Sequence, residues 1–196
     1  MDSGEKPICN FEGELVALGP PRRDLIPVYQ RWVNHFGTTR TLAIQPRPMT
    51  LEQETAWYDA LVADEGYLFT IYERSTGRPV GNCDLFAIDY RNRRGEVGIM
   101  IGEPDARGRG YCTEAMRLLL DYAFTVLGLH SVMLLVYDYN PAARRCYEKV
   151  GFRESGRRRD ARWFNGRFWD EIFMDILAEE FESPVLRDLL EHDSRR

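Results

Sequence analysis

The sequence predicts a single α/β (α+β) domain around a mixed sheet of six or seven mostly antiparallel strands, with a central parallel pair and about four flanking helices. Three strand-like segments between residues 67 and 101 follow one another through short turns, which indicates antiparallel neighbours. A strand, a glycine-rich turn, a helix and a second strand then span residues 96–136, which predicts a parallel pair with a right-handed crossover. Asn165-Gly166 joins the last two strand-like segments and is typical of a type I′ hairpin turn.

Composition and charge narrow the class of protein. The chain has 196 residues, of which 44% are hydrophobic, and its net charge of −5 argues against a general nucleic-acid binder. The four cysteines form no Cys-x-x-Cys pair and lie near no His pair, so we expect reduced thiols and no metal site. The longest apolar run, Val132–Tyr137, is too short to span a bilayer, and residues 1–5 lack the features of a signal peptide. We therefore expect a cytoplasmic protein without a membrane segment.

In the first half of the chain, apolar spacing and turn residues define two helices and four strands. Residues 1–10 are polar and are predicted to be flexible. Pro27 falls within the first turns of the first helix, where proline is tolerated. Thr50 and Gln53 form a capping-box pattern for the second helix, on which Trp57 is predicted to face inward. The predicted elements are strand 13–18, helix 22–35, loop 37–49, helix 50–63 and strands 67–73, 79–88 and 94–101.

In the second half, capping residues mark the ends of the helices. Gly128 is a C-terminal cap for the helix that follows the glycine turn. Asn140 at the N-cap and Pro141 at the first helical position begin the next helix, and Gly151 ends it. The predicted elements are helix 113–127, strand 130–137, helix 140–150 and strands 152–163 and 167–177. Residues 179–196 form a charged tail, so the folded domain is predicted to span residues 11–178.

The segment Ala106–Tyr111 is a glycine-rich turn between a strand and a helix. Gly108 and Gly110 allow backbone conformations that a Cβ forbids, and the helix start adds unpaired N–H groups and the positive end of its dipole. These features favour an anion such as a phosphate. No Gly-Lys-Ser/Thr follows, which excludes a Walker loop, and the third glycine of the dinucleotide fingerprint is not in place.

Two stretches carry a resemblance to a known family. Asp105–Gly110 is similar to the acetyl-CoA loop of the GNAT family of N-acetyltransferases, Gln/Arg-x-x-Gly-x-Gly/Ala, except at Asp105 itself. Asn140–Phe152 resembles the family's Asn-x-x-(Ala/Ser)-x-x-x-Tyr-x-x-x-Gly-Phe segment almost position by position. The resemblance covers about residues 67–177 and is closest to the branch of ribosomal-protein alanine N-acetyltransferases and spermidine acetyltransferases. It implies an acetyl-CoA-dependent N-acetyltransferase; a non-catalytic acyl-CoA-binding or regulatory protein on the same scaffold is the alternative.

The resemblance also implies where acetyl-CoA binds. In the GNAT fold the central parallel strands splay apart, so backbone groups of the central strand can pair with the pantetheine arm. The glycine turn takes the pyrophosphate, and the residue at position 140 contacts the cofactor. The candidate cofactor-binding residues are Ile99, Met100, Ile101, Arg107, Gly108, Arg109, Gly110, Tyr111, Cys112, Asn140 and Ala142.

Direct transfer of acetyl to an amine needs an acid and a base. The resemblance makes Tyr147 the general acid that protonates the leaving thiolate. Glu96 is our candidate base for the ammonium, directly or through water, with Asp84 and His35 as alternatives. An acyl-cysteine intermediate on Cys112 is a second mechanism, which lacks a visible base partner for the thiol.

The sequence leaves the acceptor open between a primary amine of a small molecule and one of a protein or peptide N-terminus. The acceptor site is expected in the least family-like parts of the chain, and its candidate residues are Trp32, His35, Phe36 and Asp84. Trp57, Trp163, Phe164 and Phe168 are further aromatic candidates, with core or dimer contacts as the alternative. The two terminal strands and the similar branch of the family favour a homodimer.

Overall fold

The computed structural model describes residues 6–44, 46–63 and 66–193, which form a mixed sheet with helices on both faces. The strands are β1 (Phe11–Glu12), β2 (Val16–Gly19), β3 (Tyr67–Glu73), β4 (Pro79–Asp89), β5 (Arg94–Ile101), β6 (Ser131–Tyr137), β7 (Arg153–Phe164) and β8 (Arg167–Leu177). The helices are α1 (Ile26–Asn34), α2 (Phe36–Thr39), α3 (Leu51–Ala63), α4 (Tyr111–Asp121), α5 (Pro141–Val150) and α6 (Leu186–Asp193). The strand order is β1-β2-β3-β4-β5-β6-β8-β7, and every neighbouring pair is antiparallel except β5 and β6.

The predicted fold class is confirmed, and the differences lie in the number of elements. The described residues contain eight strands, because Phe11–Glu12, just before the predicted first strand, pairs with β2 across a turn in which the Gly13 N–H donates to the Val16 carbonyl (2.8 Å). The same residues contain two short helices beyond the predicted four: α2 occupies the start of the predicted loop 37–49, and α6 lies in the charged tail. The hairpin between β7 and β8 has positive φ at Asn165 and Gly166, as a type I′ turn requires.

The central parallel pair is short. β5 and β6 are paired over three residues each, and the last pair joins Glu96 to Met133. β5 continues to Ile101 with β4 along its other edge, whereas β6 continues beside β8. The two strands therefore separate after Glu96, which leaves one backbone edge of residues 97–101 without a strand partner.

Alternation along the strands gives the sheet two chemically different faces. On one face, Phe69, Cys83 and Val97 belong to the main core, which α4 closes with fully buried leucines. On the opposite face, Tyr29 Oη of α1 and Thr70 Oγ1 of β3 lie 2.6 Å apart and share a hydrogen bond. A smaller core fixes α1 and α3 over this second face, and it consists of Ile26, Tyr29, Trp32 and Tyr58.

Two helices begin at residues other than those predicted. α1 begins four residues later, because Arg23–Leu25 forms a 3-10 turn ahead of Ile26. α4 begins two residues earlier, because Gly110 takes a left-handed conformation (φ +86°) directly before Tyr111. A π-helical turn, Tyr122–Val126, continues α4.

The charged C-terminal segment packs back onto the domain. Phe181 is buried, and its ring lies 5.4 Å from that of Phe124. The carboxylate of the buried Asp121 accepts hydrogen bonds from the N–H groups of Val185 and Leu186 at 3.0 and 2.8 Å. These bonds fix the start of α6 beside the end of α4. The predicted flexible start and charged tail extend into residues 1–5 and 194–196, which lie outside the described residues. Within the described ranges, no helix is both long and apolar enough to cross a membrane.

Candidate active site

Two cavities meet where β5 leaves β6. The glycine-turn cavity has a volume of about 480 Å³, and its lining includes Arg107, Gly108, Gly110, Cys112, Asn140 and Tyr147. The carboxylate cavity has a volume of about 740 Å³, and its lining includes Tyr29, Glu54, Trp57, Asn82, Asp84 and Phe86. Leu42, Ile99 and Met100 line both cavities, so a molecule bound in one can touch a molecule bound in the other.

The glycine turn has the backbone geometry of an anion site. Gly108 and Gly110 have φ values of +75° and +86°, in the left-handed region that favours glycine. A Cβ at Gly108 would find no atom within 4 Å, so the turn is open toward the cavity. α4 begins immediately after the turn, and its N-cap residue, Gly110, has no side chain that could cap the first N–H groups. These donors and the helix dipole favour a phosphate at this position.

Basic side chains reinforce this preference for an anion. Arg40, Arg145 and Lys149 line the glycine-turn cavity together with Arg107. The Arg107 guanidinium donates to the Ile101 carbonyl (3.1 Å) and to Thr38 Oγ1 (2.7 Å), which ties the turn to the end of β5 and to α2. Arg109 points elsewhere, because its Nη1 lies 3.5 Å from the buried carboxylate of Glu73. Of the two predicted arginines of the turn, Arg107 therefore lines the cavity and the Arg109 side chain does not.

The free edge of β5 forms a further wall of the glycine-turn cavity. Ile99, Met100 and Ile101 line it after the last pair with β6. Backbone N–H and C=O groups on that edge suit a ligand that carries amide groups, because each buried backbone group needs a partner. A basic anion site beside an unpaired strand edge therefore fits the pyrophosphate and the amide-containing arm of acetyl-CoA.

α5 contributes Asn140, Ala142 and Tyr147 to the same cavity. Asn140 Oδ1 accepts a hydrogen bond from the Ala143 N–H (3.3 Å), so Asn140 is the helix N-cap and also lines the cavity. Tyr147 is only 8% exposed, and burial raises its pKa well above the usual value for tyrosine. Its hydroxyl therefore stays protonated at neutral pH and can donate a hydrogen bond.

The carboxylate cavity lies on the face of the sheet that α1 and α3 cover. Asp84 of β4 stands opposite Gly98 of β5, and both line the cavity. A Cβ at Gly98 would lie 2.5 Å from Asp84 Oδ1, so this glycine leaves the carboxylate uncovered. Burial raises the pKa of Asp84 to about 6, although backbone N–H groups of Asp84 and Gly98 act in the opposite direction. A carboxylate with this pKa is suited to accept a proton near neutral pH.

A second buried carboxylate was missed by the sequence reasoning. Glu54 of α3 is 3% exposed, lines the carboxylate cavity, and has a pKa that burial raises. It lies one helical turn before Tyr58, whose ring belongs to the small core of α1 and α3. That spacing is the signal that could have found it, because residues four apart share a helix face. Trp57, predicted to face inward, is 39% exposed and lines the same cavity.

Besides Arg109, four predicted site residues lie outside both cavity linings. Glu96 is half-buried and pairs with Phe86 and Met133, one step before the strands separate, so it stands beside neither cavity. Three of the predicted acceptor residues are also outside the cavity linings: Trp32, His35 and Phe36.

Two of these three side chains make hydrogen bonds within the protein, and the third lies on the surface. Trp32 is 1% exposed, and its Nε1–H donates to Glu103 Oε1 (2.8 Å). His35 precedes α2, where its Nδ1 shares a hydrogen bond with Thr38 Oγ1 (2.8 Å). Phe36 is 59% exposed. Among the four predicted acceptor residues, Asp84 is the one that lines the carboxylate cavity.

The nucleophilic-cysteine alternative is disfavoured by the surroundings of Cys112. Its Sγ atom lies 3.0 Å from that of Cys146. The hydrogen bond between the two sulfurs, followed by burial, raises the pKa of Cys112 well above its usual value. Since the thiolate is the nucleophile, Cys112 is poorly suited to form an acyl intermediate.

A sheet that opens at its parallel pair, an anion-binding turn and a strand edge beside a separate acceptor cavity define a CoA-dependent acyltransferase. The family model described as an acetyltransferase (GNAT) domain matches residues 16–153, and the chain belongs to this family. The predicted family, enzyme class and use of acetyl-CoA are thereby confirmed.

Named relatives agree with this assignment. Spermidine N(1)-acetyltransferase of Escherichia coli strain K12 is 32% identical over 166 residues, which cover 85% of this chain and 88% of that protein. Human alpha/beta-tubulin-N-acetyltransferase 9 is 30% identical over 193 residues, which cover 92% and 88%. The crystal structure of spermidine N-acetyltransferase from Vibrio cholerae in complex with CoA and spermine matches with a TM-score of 0.79 and 26% identity, over 86% of this chain and 98% of that one.

Proposed function

We propose that this protein transfers the acetyl group of acetyl-CoA directly to a primary amine of a polyamine, with Asp84 as the base and Tyr147 as the proton donor. Acetyl-CoA supplies an activated thioester when it is bound. The observation that carries the proposal is the position of the carboxylates Asp84 and Glu54 in an otherwise largely apolar cavity that meets the glycine-turn cavity.

The chemistry of the carboxylate cavity matches a polyamine. Polyamines carry ammonium groups that are separated by apolar methylene chains. The cavity offers Asp84 and Glu54 for ammonium groups, and Trp57, Phe86 and Leu68 for the methylenes. Burial raises the pKa of both carboxyls, and a bound ammonium would favour their ionised forms. Arg47 also lines the cavity, but it is exposed, so water screens its charge.

Asp84 replaces Glu96 as our proposed base. The two side chains lie on the same face of the sheet, because Asp84 pairs with Gly98, two residues along β5 from Glu96. Asp84 lines the cavity beside Ile99, where the two cavities meet, whereas Glu96 remains in the closed part of the sheet. A base has to reach the amine at this junction, either directly or through one water.

Tyr147 is supported as the donor by its position and its protonation. It lines the glycine-turn cavity on α5, across from the free edge of β5. Because its pKa is raised, the hydroxyl keeps its proton at neutral pH and can stabilise a departing thiolate by a hydrogen bond.

Thiol release from acetyl-CoA tests the acceptor class. The panel consists of spermidine, butylamine as a matched monoamine, peptides with free N-termini and aminoglycosides. We expect release that depends on spermidine; release with peptides alone would instead favour a protein acceptor, as the name of the human relative, a tubulin N-acetyltransferase, indicates for that protein.

A substitution at Glu54 distinguishes the role of this carboxylate from that of Asp84. If Glu54 binds a second ammonium, Glu54→Gln should raise the KM for spermidine about 30-fold, the lower range for removing one partner of a buried charge pair. The KM values for butylamine and acetyl-CoA should stay unchanged. Equal increases for spermidine and butylamine would contradict the role given to Glu54.

A homodimer and a cytoplasmic location remain predictions.

A further inference from the structure

Two thiols from different helices meet in the wall of the glycine-turn cavity. Cys112 is the second residue of α4, Cys146 lies in α5, and their Sγ atoms are 3.0 Å apart. α4 and α5 pack against each other. Helix packing therefore holds the two sulfurs together, although 34 positions separate them in sequence.

The remaining cysteines have different surroundings. Cys83 is buried in the main core, and Cys9 is a half-buried thiol whose Sγ lies 3.5 Å from the Pro7 carbonyl. Cys112 and Cys146 are both half-buried and both line the cavity. Among the described residues, they are the two thiols that combine a sulfur neighbour with access from a cavity.

The two sulfurs are chemically unequal. Hydrogen bonds from the Cys112 thiol and from the Thr113 hydroxyl, together with the charge of Lys149, lower the pKa of Cys146 to about 7 against the opposing effect of burial. Thr113 Oγ1 lies 3.3 Å from Cys146 Sγ. Cys146 is therefore ionised in about half of the molecules at neutral pH and is the better attacking thiol, with the Cys112 sulfur 3.0 Å away in position to act as the resolving thiol.

We propose that Cys112 and Cys146 form a dithiol–disulfide couple that exchanges with a small-molecule disulfide entering the glycine-turn cavity. The Cys146 thiolate attacks one sulfur of that disulfide, forms a mixed disulfide and releases the other half as a thiolate. Cys112 then gives its proton to solvent, and its thiolate attacks Cys146 Sγ. This second step forms the internal disulfide and releases the second half of the small molecule.

The exchange balances without a further reactant. The protein dithiol is oxidised by two electrons, the small-molecule disulfide is reduced to two thiols, and the two protons come from Cys112 and Cys146. The sulfurs have to approach by about 1 Å to reach a bond length of about 2.05 Å. Since both residues lie in the cavity wall, the internal bond would form beside Tyr147.

Two small molecules share this chemistry, the disulfide of CoA and the disulfide of glutathione. The glycine turn and the basic side chains Arg107, Arg145 and Lys149 favour the CoA form, because it carries phosphates. This preference rests on the proposed cofactor site, whereas the exchange itself does not.

Intact-protein mass spectrometry without reductant tests the exchange on the purified full chain. One arm uses oxidised glutathione and the other uses CoA disulfide. The unmodified chain should lose two hydrogen atoms in mass, and peptide mapping should join Cys112 to Cys146. Cys112→Ser, or Cys112→Ala if the first variant does not fold, should stop with one glutathione or CoA moiety on Cys146. Cys146→Ser should form no adduct at Cys112, and Cys9→Ser, the matched control, should behave like the unmodified chain.

Two results would overturn the proposal: an adduct that forms as fast on Cys146→Ser as on the unmodified chain, or a folded Cys112→Ser protein that traps nothing. Circular dichroism establishes folding for each variant. Desulfo-CoA fills the same cavity and should therefore slow both arms. The relative rates distinguish the sources, because a CoA disulfide that uses the cofactor site should react faster than oxidised glutathione at equal concentration and should saturate, whereas equal rates would indicate the general thiol pool. No acetyl transfer is measured, so failure of this proposal is distinguishable from failure of the proposed function.

Discussion

Asp84→Asn removes the proposed base while keeping the size of the side chain. The carboxylate lies opposite Gly98, at the junction of the two cavities, so the variant changes proton acceptance with little change in packing. We expect kcat to fall roughly 100- to 10,000-fold, the usual contribution of a positioned general base.

The decrease in rate caused by Asp84→Asn should depend on pH, because the pKa of the Asp84 carboxyl is about 6. At pH 7 about nine-tenths of the Asp84 carboxyls are ionised, and at pH 5 about one-tenth are. Only the ionised form accepts a proton, so the ratio of unmodified to Asp84→Asn rates should fall about tenfold from pH 7 to pH 5. Ionisation of the amine substrate affects both proteins equally and cancels in the ratio.

The assay is thiol release from acetyl-CoA at spermidine concentrations well below KM, so that the rate reports the free protein, measured at half-unit pH steps from 5 to 8. Glu96→Gln is the matched control, because Glu96 lies on the same sheet face but outside both cavity linings. It should retain the rate and the pH profile of the unmodified chain. If Asp84→Asn kept the acidic limb of the profile, or if Glu96→Gln abolished it, the assignment of the base would be wrong.

Protein stability gives an independent measure of the same carboxyl. Its pKa is about 6 in the folded protein against 3.8 ordinarily, so the folded state prefers the protonated form. Well below pH 4 the carboxyl is protonated in both states; as the pH rises from about 4 to 6 the unfolded chain ionises first, so the folded protein loses up to about 3 kcal/mol relative to the unfolded chain, and this loss is complete above about pH 6. Asp84→Asn should therefore melt at a higher temperature than the unmodified chain at pH 7, and the difference should shrink toward pH 4.

Three further variants test other parts of the structure. Tyr147→Phe should lower kcat about 100-fold without changing the KM for acetyl-CoA, whereas Tyr90→Phe, at a 62% exposed position, should change neither in the same assay. Gly108→Ala should cost about 1 kcal/mol of stability in thermal unfolding, because a Cβ is unfavourable at φ +75°, and should weaken CoA binding in calorimetry. Asp121→Asn should lower stability by about 2 kcal/mol and reduce hydrogen-exchange protection of the amides that its carboxylate binds at the start of α6; unchanged protection would show that α6 is held by other contacts.

The cofactor half of the site could be predicted because its determinants are local in sequence. The glycine turn and the start of α4 are contiguous, and their backbone conformation follows from Gly108 and Gly110. Asn140 and Tyr147 are likewise placed by one helix whose N-cap and end are visible in the sequence. The direction of the Arg109 side chain could not be predicted in this way, because its partner, the carboxylate of Glu73, comes from a distant strand.

The acceptor half depends on strand register and on packing between distant segments. Asp84 and Glu96 are both acidic residues on strands, and only the pairing of Asp84 with Gly98 decides which carboxylate is uncovered. A one-residue change in the register of β4 would place the side chain of Asp84 on the opposite face of the sheet. Trp32 was an aromatic candidate because of its position in the chain. In the structure its Nε1–H donates to the carboxylate of Glu103, and its ring belongs to the small core of α1 and α3.

The net charge of −5 says little about the charge of a ligand, because an average over the chain hides where the charges lie. The structure separates them. Arg40, Arg107 and Lys149 line the cavity with the anion-binding turn, whereas the carboxylates of Asp84 and Glu54 line the other. An anionic cofactor and a cationic amine are thus each attracted to one cavity and disfavoured in the other, and such repulsion contributes to specificity as much as attraction does. In the proposed reaction, the two ligands would meet beside Leu42, Ile99 and Met100, the residues that line both cavities.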